Sequence, residues 1–486
     1  MEHAGRVSRR YDLVVLGGGT GGLVCSMIAA SVGARVALIE RERTGGDCLW
    51  TGCIPSKSLI AAAGLAHRMR HADAVGLAPV EPEIDFERVM EHVWGAIRTI
   101  EPQDSPERLR AAGVEVIHAD GRFAGPGTII ADGRELRFRA AIIATGAQPT
   151  APPIPGLADA DPLSTDSIWD LRELPPRLAV LGGGPIGCEL GQAFARLGSR
   201  VTLVEIADRL LAREDPQASE LIASRLRNDG VDVRTRWRAS DVRKTPDGGH
   251  ELVLDGPDGP ETVPFDRILV TTGRSPRTGD LGLDSVGVRV DDRGAIVVDT
   301  RLRATARGIY AAGDVTGLLS FTHVAAHHAR VATPNALFHT RTKISHTLPW
   351  VTFTDPEVAH VGLTESEARE RWGDRVIIAE FDYHELDRAI TAGEAYGFAK
   401  LVGDPRGRLV GATVAAPGGG DAIAELTAWV TQGEKIGAVS RTVHAYPTLA
   451  EGPARAADGY LTARYSTPRV RALIRVLLAA LRLTAR

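Results

Sequence analysis

The sequence predicts an α/β fold containing two Rossmann-like halves, and three observations carry that prediction. One pattern of glycines closed by an acid occurs twice, at an offset of 165 residues. Each copy follows a short apolar run of strand character and leads into an alanine-rich stretch of helical character. A chain of 486 residues also exceeds one ordinary core, and at about 150 residues per domain it suggests roughly three.

In the first copy the run Leu13 to Leu16 leads into Gly17, Gly19 and Gly22, and a second strand-like run, Arg35 to Glu40, ends in the acid. In the second copy Leu178 to Leu181 leads into Gly182, Gly184 and Gly187, and Arg200 to Glu205 ends in the acid. The first glycine permits a tight turn, the second lets backbone approach a pyrophosphate, and the third lets the helix pack closely. The helix N-terminus then offers its amides to the diphosphate, and the acid accepts from a ribose hydroxyl. Two dinucleotide sites in one chain imply two dinucleotides, and the chemistry that pairs them is hydride transfer from a nicotinamide to a flavin. Glu205 suits the free 2′-hydroxyl of NADH and repels the 2′-phosphate of NADPH, a preference that Arg209 nearby can soften.

The 57 basic and 61 acidic residues nearly cancel without a long run of one sign, so a nucleic-acid partner is not expected. Four cysteines are too few for a secreted disulfide framework, which makes any bond between two of them catalytic and favours the cytoplasm. Ser8, Arg9 and Arg10 loosely suggest a twin-arginine export signal, but the stretch after them reads better as a strand entering a glycine turn. No run of about 18 apolar residues appears, so a soluble protein is expected. No metal-ligand cluster is read from the sequence.

The densest chemistry lies in Gly45-Gly46-Asp47-Cys48-Leu49-Trp50-Thr51-Gly52-Cys53-Ile54-Pro55-Ser56-Lys57. On an ideal helix, Cα atoms five positions apart lie about 8.6 Å from each other, beyond the roughly 7 Å a disulfide tolerates. The segment must therefore bend between Cys48 and Cys53 if they bond. Gly52 provides backbone freedom for that bend, and Pro55 is suited to a helix start.

This segment resembles the active-site signature of the class I pyridine nucleotide-disulfide oxidoreductases, in the branch of mercuric reductase and dihydrolipoamide dehydrogenase. Ala144-Thr145-Gly146, Thr272-Gly273-Arg274, Ala312-Gly313-Asp314 and Asp355-Pro356-Glu357 extend the resemblance along most of the chain. It implies two Rossmann-like domains followed by a C-terminal α+β dimerisation domain. FAD would take residues 11–150 and 275–345, the nicotinamide 151–274, and the dimer interface 346–465. The resemblance further implies that Gly17, Gly19, Gly22, Glu40, Gly121, Thr145, Gly146 and Asp314 hold FAD. Gly182, Gly184, Gly187, Glu205 and Gly273 would serve the nicotinamide dinucleotide, and Lys57 would sit by the flavin paired with Glu189. Cys53 would face the flavin and Cys48 the substrate, a disulfide or related small acceptor, in a homodimer.

The resemblance breaks at His444-Ala445-Tyr446-Pro447, where Tyr446 stands in the place of the acid–base histidine of disulfide-reducing members; Glu451 follows five residues on. On an extended segment His444 points the same way as Tyr446, about 6.5 Å along, and is either a substitute or a structural histidine. Tyrosine at that site, with Phe321-Thr322-His323-Val324-Ala325 and Glu385-Leu386-Asp387-Arg388-Ala389, is similar to mercuric reductase. That family's extra C-terminal cysteine pair is missing, since only Cys25 and Cys188 remain and both read as buried. Three alternatives to disulfide reduction stand beside it: a metal-ion reductase, a dihydrolipoamide dehydrogenase or quinone diaphorase, and a non-catalytic membrane-associated redox sensor. The final segment, 466–486, reads as a basic amphipathic helix with Arg471, Arg475, Arg482 and Arg486 on one stripe. Such a helix either packs on protein or makes peripheral contact with an anionic membrane.

Overall fold

The structure, a computed structural model, describes residues 10–246 and 248–484. Ser8 and Arg9 of the export-like motif and Arg486 of the tail stripe lie outside them. Two parallel sheets of matching order organise the first two thirds of the chain. The first runs 114–118, 36–40, 11–16, 134–143 and 309–311, each parallel to its neighbour. The second runs 232–235, 200–205, 177–181 and 267–270, again all parallel. The central strands carry continuous apolar runs because helices cover both faces: Leu13, Val14 and Val15 are fully buried, as is Val180. The 165-residue repeat is thus a repeat of three-dimensional structure.

Strand 309–311 returns to the first sheet after the chain has built the second, so the first unit is assembled from two separated stretches. The crossings between units are held by a short antiparallel pair, 147–149 with 274–276. An antiparallel sheet of 238–244, 250–256 and 259–265 packs beside the second unit. From 349 to 416 a five-stranded antiparallel sheet, ordered 349–352, 357–362, 409–416, 398–403 and 377–382, forms a third unit with its own core of Leu401, Val414, Leu426 and Tyr383. The two halves and the α+β domain expected from the sequence are present.

Buried charge joins the three units. Arg196 donates to Asp229 at 3.0 Å and to Asp355 at 2.8 Å, while His67 from the first unit reaches Asp229 at 3.1 Å. Gln192 donates to Asp229 and accepts from the Asp355 amide, so the network fixes register as well as proximity. Among the described residues no helix is long and apolar enough to cross a membrane.

Glu214 forms a second junction, accepting the Trp350 indole N–H at 2.6 Å across the seam between the second and third units. Burial pushes its carboxyl up to about 7 from an ordinary 4.5. The folded protein therefore holds this proton more tightly than the unfolded chain. Its stabilising contribution is full at low pH and declines as the pH rises from the unfolded value through about 7, by up to about 3 kcal/mol at 1.36 kcal/mol per pH unit. Glu214→Gln keeps an acceptor for Trp350 and removes the proton. Unfolding midpoints compared at about pH 5 and about pH 8 should show the variant gaining on the wild type as pH rises; parallel midpoints would contradict the assignment.

Candidate active site around the cysteine pair

The cysteine segment bends where the spacing requires it. A short helix, Gly46–Trp50, carries Cys48 and stops at Thr51; a second helix, Cys53–Arg70, begins on Cys53 itself. Gly52 is needed at the joint because a Cβ there would lie 2.8 Å from the Asp47 carbonyl oxygen. Cys48 and Cys53 are present as free, half-buried thiols. The two are electrostatically unequal. The Cys48 S–H donated to Cys53 holds Cys53 down at about 6 against burial, with help from the Thr322 hydroxyl at 3.3 Å and from Lys57. Cys53 also opens an 18-residue helix, whose N-terminal dipole favours an anion. Sharing that proton with Cys53, together with burial, pushes the Cys48 thiol well up.

Lys57 lies one helical turn beyond Cys53 and donates to Glu189 at 2.8 Å. The other Glu189 oxygen accepts the Phe353 amide at 2.8 Å, and the Lys57 ammonium sits 4.3 Å from the centroid of the Phe353 ring. Glu189 is 7% exposed and Lys57 36%, so the carboxylate anchors a cation that faces open space beside the thiols. Cys25 and Cys188, by contrast, are fully buried; burial raises both thiols, and the carboxylates of Glu189 and Glu205 add to it at Cys188.

The two glycine turns are superimposable in their bonding. Gly17 and Gly182 have φ of 101° and 106°. A Cβ on Gly22 would lie 1.8 Å from the Gly17 oxygen, and one on Gly187 would lie 1.9 Å from the Gly182 oxygen. Glu40 accepts the amides of Gly18 and Glu42; Glu205 accepts those of Gly183 and Ala207. Gly19 and Gly184 cap their helices without any side-chain acceptor, leaving first-turn amides directed outward. These cradles fit a dinucleotide diphosphate apiece. A cavity of about 390 Å³ lined by Arg41, Glu42, Gln148, Asp166 and Arg277 opens beside the first acid.

Gly146 has φ 72°, and the Thr145 hydroxyl donates to the Arg277 carbonyl at 2.7 Å, tying the two stretches of the first unit together. Gly121 has a packing reason, since a Cβ there would meet the Leu16 side chain at 2.5 Å. The Gly273 carbonyl accepts the Thr150 amide at 3.1 Å. Burial raises the Asp314 carboxyl, and the turn that presents it is held by His328, whose Nδ1 accepts the Gly313 amide at 3.2 Å.

The C-terminal candidates are not brought to the cysteines of their own chain; their recorded partners are in the third unit. The Tyr446 hydroxyl donates to Asp387 at 2.9 Å in a residue 66% exposed, and that hydrogen bond makes the phenol a weaker acid, raising its pKa above the ordinary tyrosine value. The segment that carries it and His444 forms no strand, and the two side chains bond different partners. The His444 Nε2 is 2.8 Å from Glu425 and its Nδ1 2.9 Å from the Thr442 carbonyl, so both ring nitrogens have partners within the third unit. Glu451 is buried at the start of helix Glu451–Tyr465 and accepts the Thr448 amide at 3.2 Å.

Four contributors were not singled out for their roles in the sequence. Thr322 bonds Cys53 from 269 residues away, and Phe353 flanks both members of the Lys57–Glu189 pair. Arg274 holds Asp47 beside the cysteine loop, and Asp387 holds Tyr446. Thr322, Arg274 and Asp387 lie within motifs already noted, whereas nothing local marks Phe353.

Comparison with known proteins agrees with this geometry. The family model for pyridine nucleotide-disulphide oxidoreductases matches residues 11–329, and that for the family's dimerisation domain matches 348–457. A mercuric reductase of Streptomyces lividans is 38% identical over 458 residues, covering 93% of this chain and 96% of that one. A dihydrolipoyl dehydrogenase of Thermus scotoductus is 37% identical over 459 residues, covering 93% and 97%. The structure of the HOCl-induced flavoprotein disulfide reductase RclA from Escherichia coli superposes with a TM-score of 0.82 at 28% identity, covering 92% of this chain and 99% of that one. The Cu(II) complex of the same reductase gives 0.81, covering 91% of this chain and 98% of that one. Matched along nearly its whole length, the chain belongs to the pyridine nucleotide-disulphide oxidoreductases, FAD-dependent enzymes that use NAD(P)H.

Proposed function

We propose that this enzyme oxidises NADH and delivers the electron pair through Cys48 and Cys53 to an external small-molecule disulfide. The observation that carries the reading is the asymmetry of the thiol pair: Cys53 opens an 18-residue helix and lies 3.3 Å from the Thr322 hydroxyl, surroundings that push its thiol down to about 6 while that of Cys48 is pushed up. Bound FAD supplies the two-electron relay between nicotinamide and disulfide. Residues 11–150 and 275–345 are assigned to FAD, 151–274 to the nicotinamide, and 346–465 to the subunit interface. Glu205 supports NADH, and Arg209 does little to soften that preference because its guanidinium donates to the Ala212 carbonyl and lies 3.9 Å from Asp208.

The chemistry of the reduced pair balances as a thiol–disulfide exchange. The Cys48 sulfur attacks one sulfur of the acceptor, and the Cys48 proton leaves with the departing thiol. The Cys53 thiolate then attacks the Cys48 sulfur, releases the second acceptor sulfur as thiolate and restores the intramolecular disulfide. Lys57, held by Glu189, steadies the negative charge on Cys53 until that sulfur attacks. A homodimer would bring the partner's Tyr446 to this step as a hydroxyl donor oriented by Asp387. Exposed Val75, Ile390, Val443 and Tyr446 support such an interface; Val443 is 96% exposed, and a Cβ on Gly393 would touch Val75, which places two of these stretches side by side.

A soft metal ion is the second reading for the acceptor. Tyr446 in the acid–base position favours it, and so do the mercuric reductase relative and the Cu(II) complex of the structural neighbour.

Two outcomes follow. Cys48→Ser and Cys53→Ser should each lower NADH-dependent reduction of a model disulfide at least about 100-fold, while NADH still bleaches bound flavin at a rate within a few-fold of wild type; disulfide turnover that survives both replacements would sink the proposal. In the reduced protein the ultraviolet thiolate signal should persist above about pH 6 and fade as pH drops through it, because a depressed thiol keeps its charge above its own midpoint. Lys57→Met should shift that midpoint upward, and an unmoved midpoint would remove Lys57 from the account.

A further inference from the structure

We propose that the helix Pro468–Thr484 docks this enzyme on an anionic lipid surface, lying in the plane of the headgroups. The helix follows Glu451–Tyr465 after a break at Ser466 and Thr467, and it lies beyond residue 457, where the family's dimerisation domain stops matching. Every residue from 471 to 482 is exposed, so the other described residues do not bury it. Leu473 is 61% exposed, Ile474 40% and Leu477 54%, whereas Leu401 and Leu426 in the adjoining domain core are fully buried. A helix built to face water has no use for such a row.

Its chemistry selects the surface. At 100° per residue Arg471, Arg475 and Arg482 fall within an arc of about 40°. Val470, Leu473, Ile474 and Leu477 occupy an arc of about 100° on the opposite side. The segment from 466 contains five arginines and no acid, and the chain as a whole is −4, so everything before the tail carries −9. By net charge an anionic membrane therefore repels the body and attracts this helix. The arginines need anions and the apolar arc needs a non-aqueous phase, and the boundary of an anionic bilayer provides both at the spacing of one helix diameter. At 17 residues the helix is about 25 Å long, suited to lying along that boundary.

The test uses the FAD-loaded full chain, a chain ending at residue 465, and a Leu473→Glu/Leu477→Glu double variant, floated with phosphatidylcholine vesicles with and without about one third phosphatidylglycerol. The full chain should appear at least about tenfold enriched with the phosphatidylglycerol vesicles only, and both altered proteins should stay behind. Equal NADH bleaching of the flavin in all three verifies that each is folded. Identical flotation of the full and shortened chains would overturn the proposal. Flotation of the double variant like wild type would also overturn it, since charge attraction alone would then suffice. A lower oligomeric mass for the shortened chain, with no flotation of the full one, would assign the helix to a second copy instead.

Discussion

Everything in this molecule converges on a helix that begins at a sulfur atom. Cys53 is the first residue of an 18-residue helix, and its thiolate draws on the helix dipole, the S–H of Cys48 and the hydroxyl of Thr322 together. Each of these supports depends on the bend at Gly52, where the Asp47 carbonyl leaves no room for a side chain. Without the bend the chain continues as one helix, and Cys48 moves to its far side. Lys57 then completes the site from the next turn, and Glu189 and Phe353 hold it from two other parts of the chain.

The larger architecture exists to keep that junction in register. The first sheet supports the turn at Gly17, whose neighbour Gly18 accepts the Gly45 amide just ahead of the cysteines. The second sheet supports the helix that carries Glu189. The buried network of Arg196, Asp229, Asp355 and His67 then locks the helix of Cys53 to the helix of Glu189 and to the third unit. Buried charges of this kind cost desolvation and repay it by fixing geometry, which is what a site drawn from several segments requires. The C-terminal side is arranged differently, with Tyr446 held by Asp387 on an exposed face rich in apolar side chains.

The parts legible in the sequence are those whose physics is local. The two glycine turns could be read because turn, helix start and acid lie within about 25 residues, and the structure repeats their bonding almost exactly atom for atom. The bend between the cysteines followed from helix geometry. The Lys57–Glu189 pair, 132 residues apart, came only from family resemblance; Thr322 lay in a noted motif that gave no hint of its contact with Cys53, and Phe353 had no local signature at all. His444 shows the opposite limit: its spacing from Tyr446 suggested a shared direction, but Glu425 in a neighbouring helix captures it. The amphipathy of the tail was visible in its residues, whereas its exposure among the described residues required the fold.

The account rests on Cys48 and Cys53 cycling between disulfide and dithiol while Cys25 and Cys188 stay buried and reduced. Thiols counted after denaturing the holoenzyme in the absence of oxygen test this most directly, once as the oxidised enzyme and once after exposure to NADH. The account predicts that the NADH-treated enzyme yields the extra pair contributed by Cys48 and Cys53; equal counts before and after would contradict it.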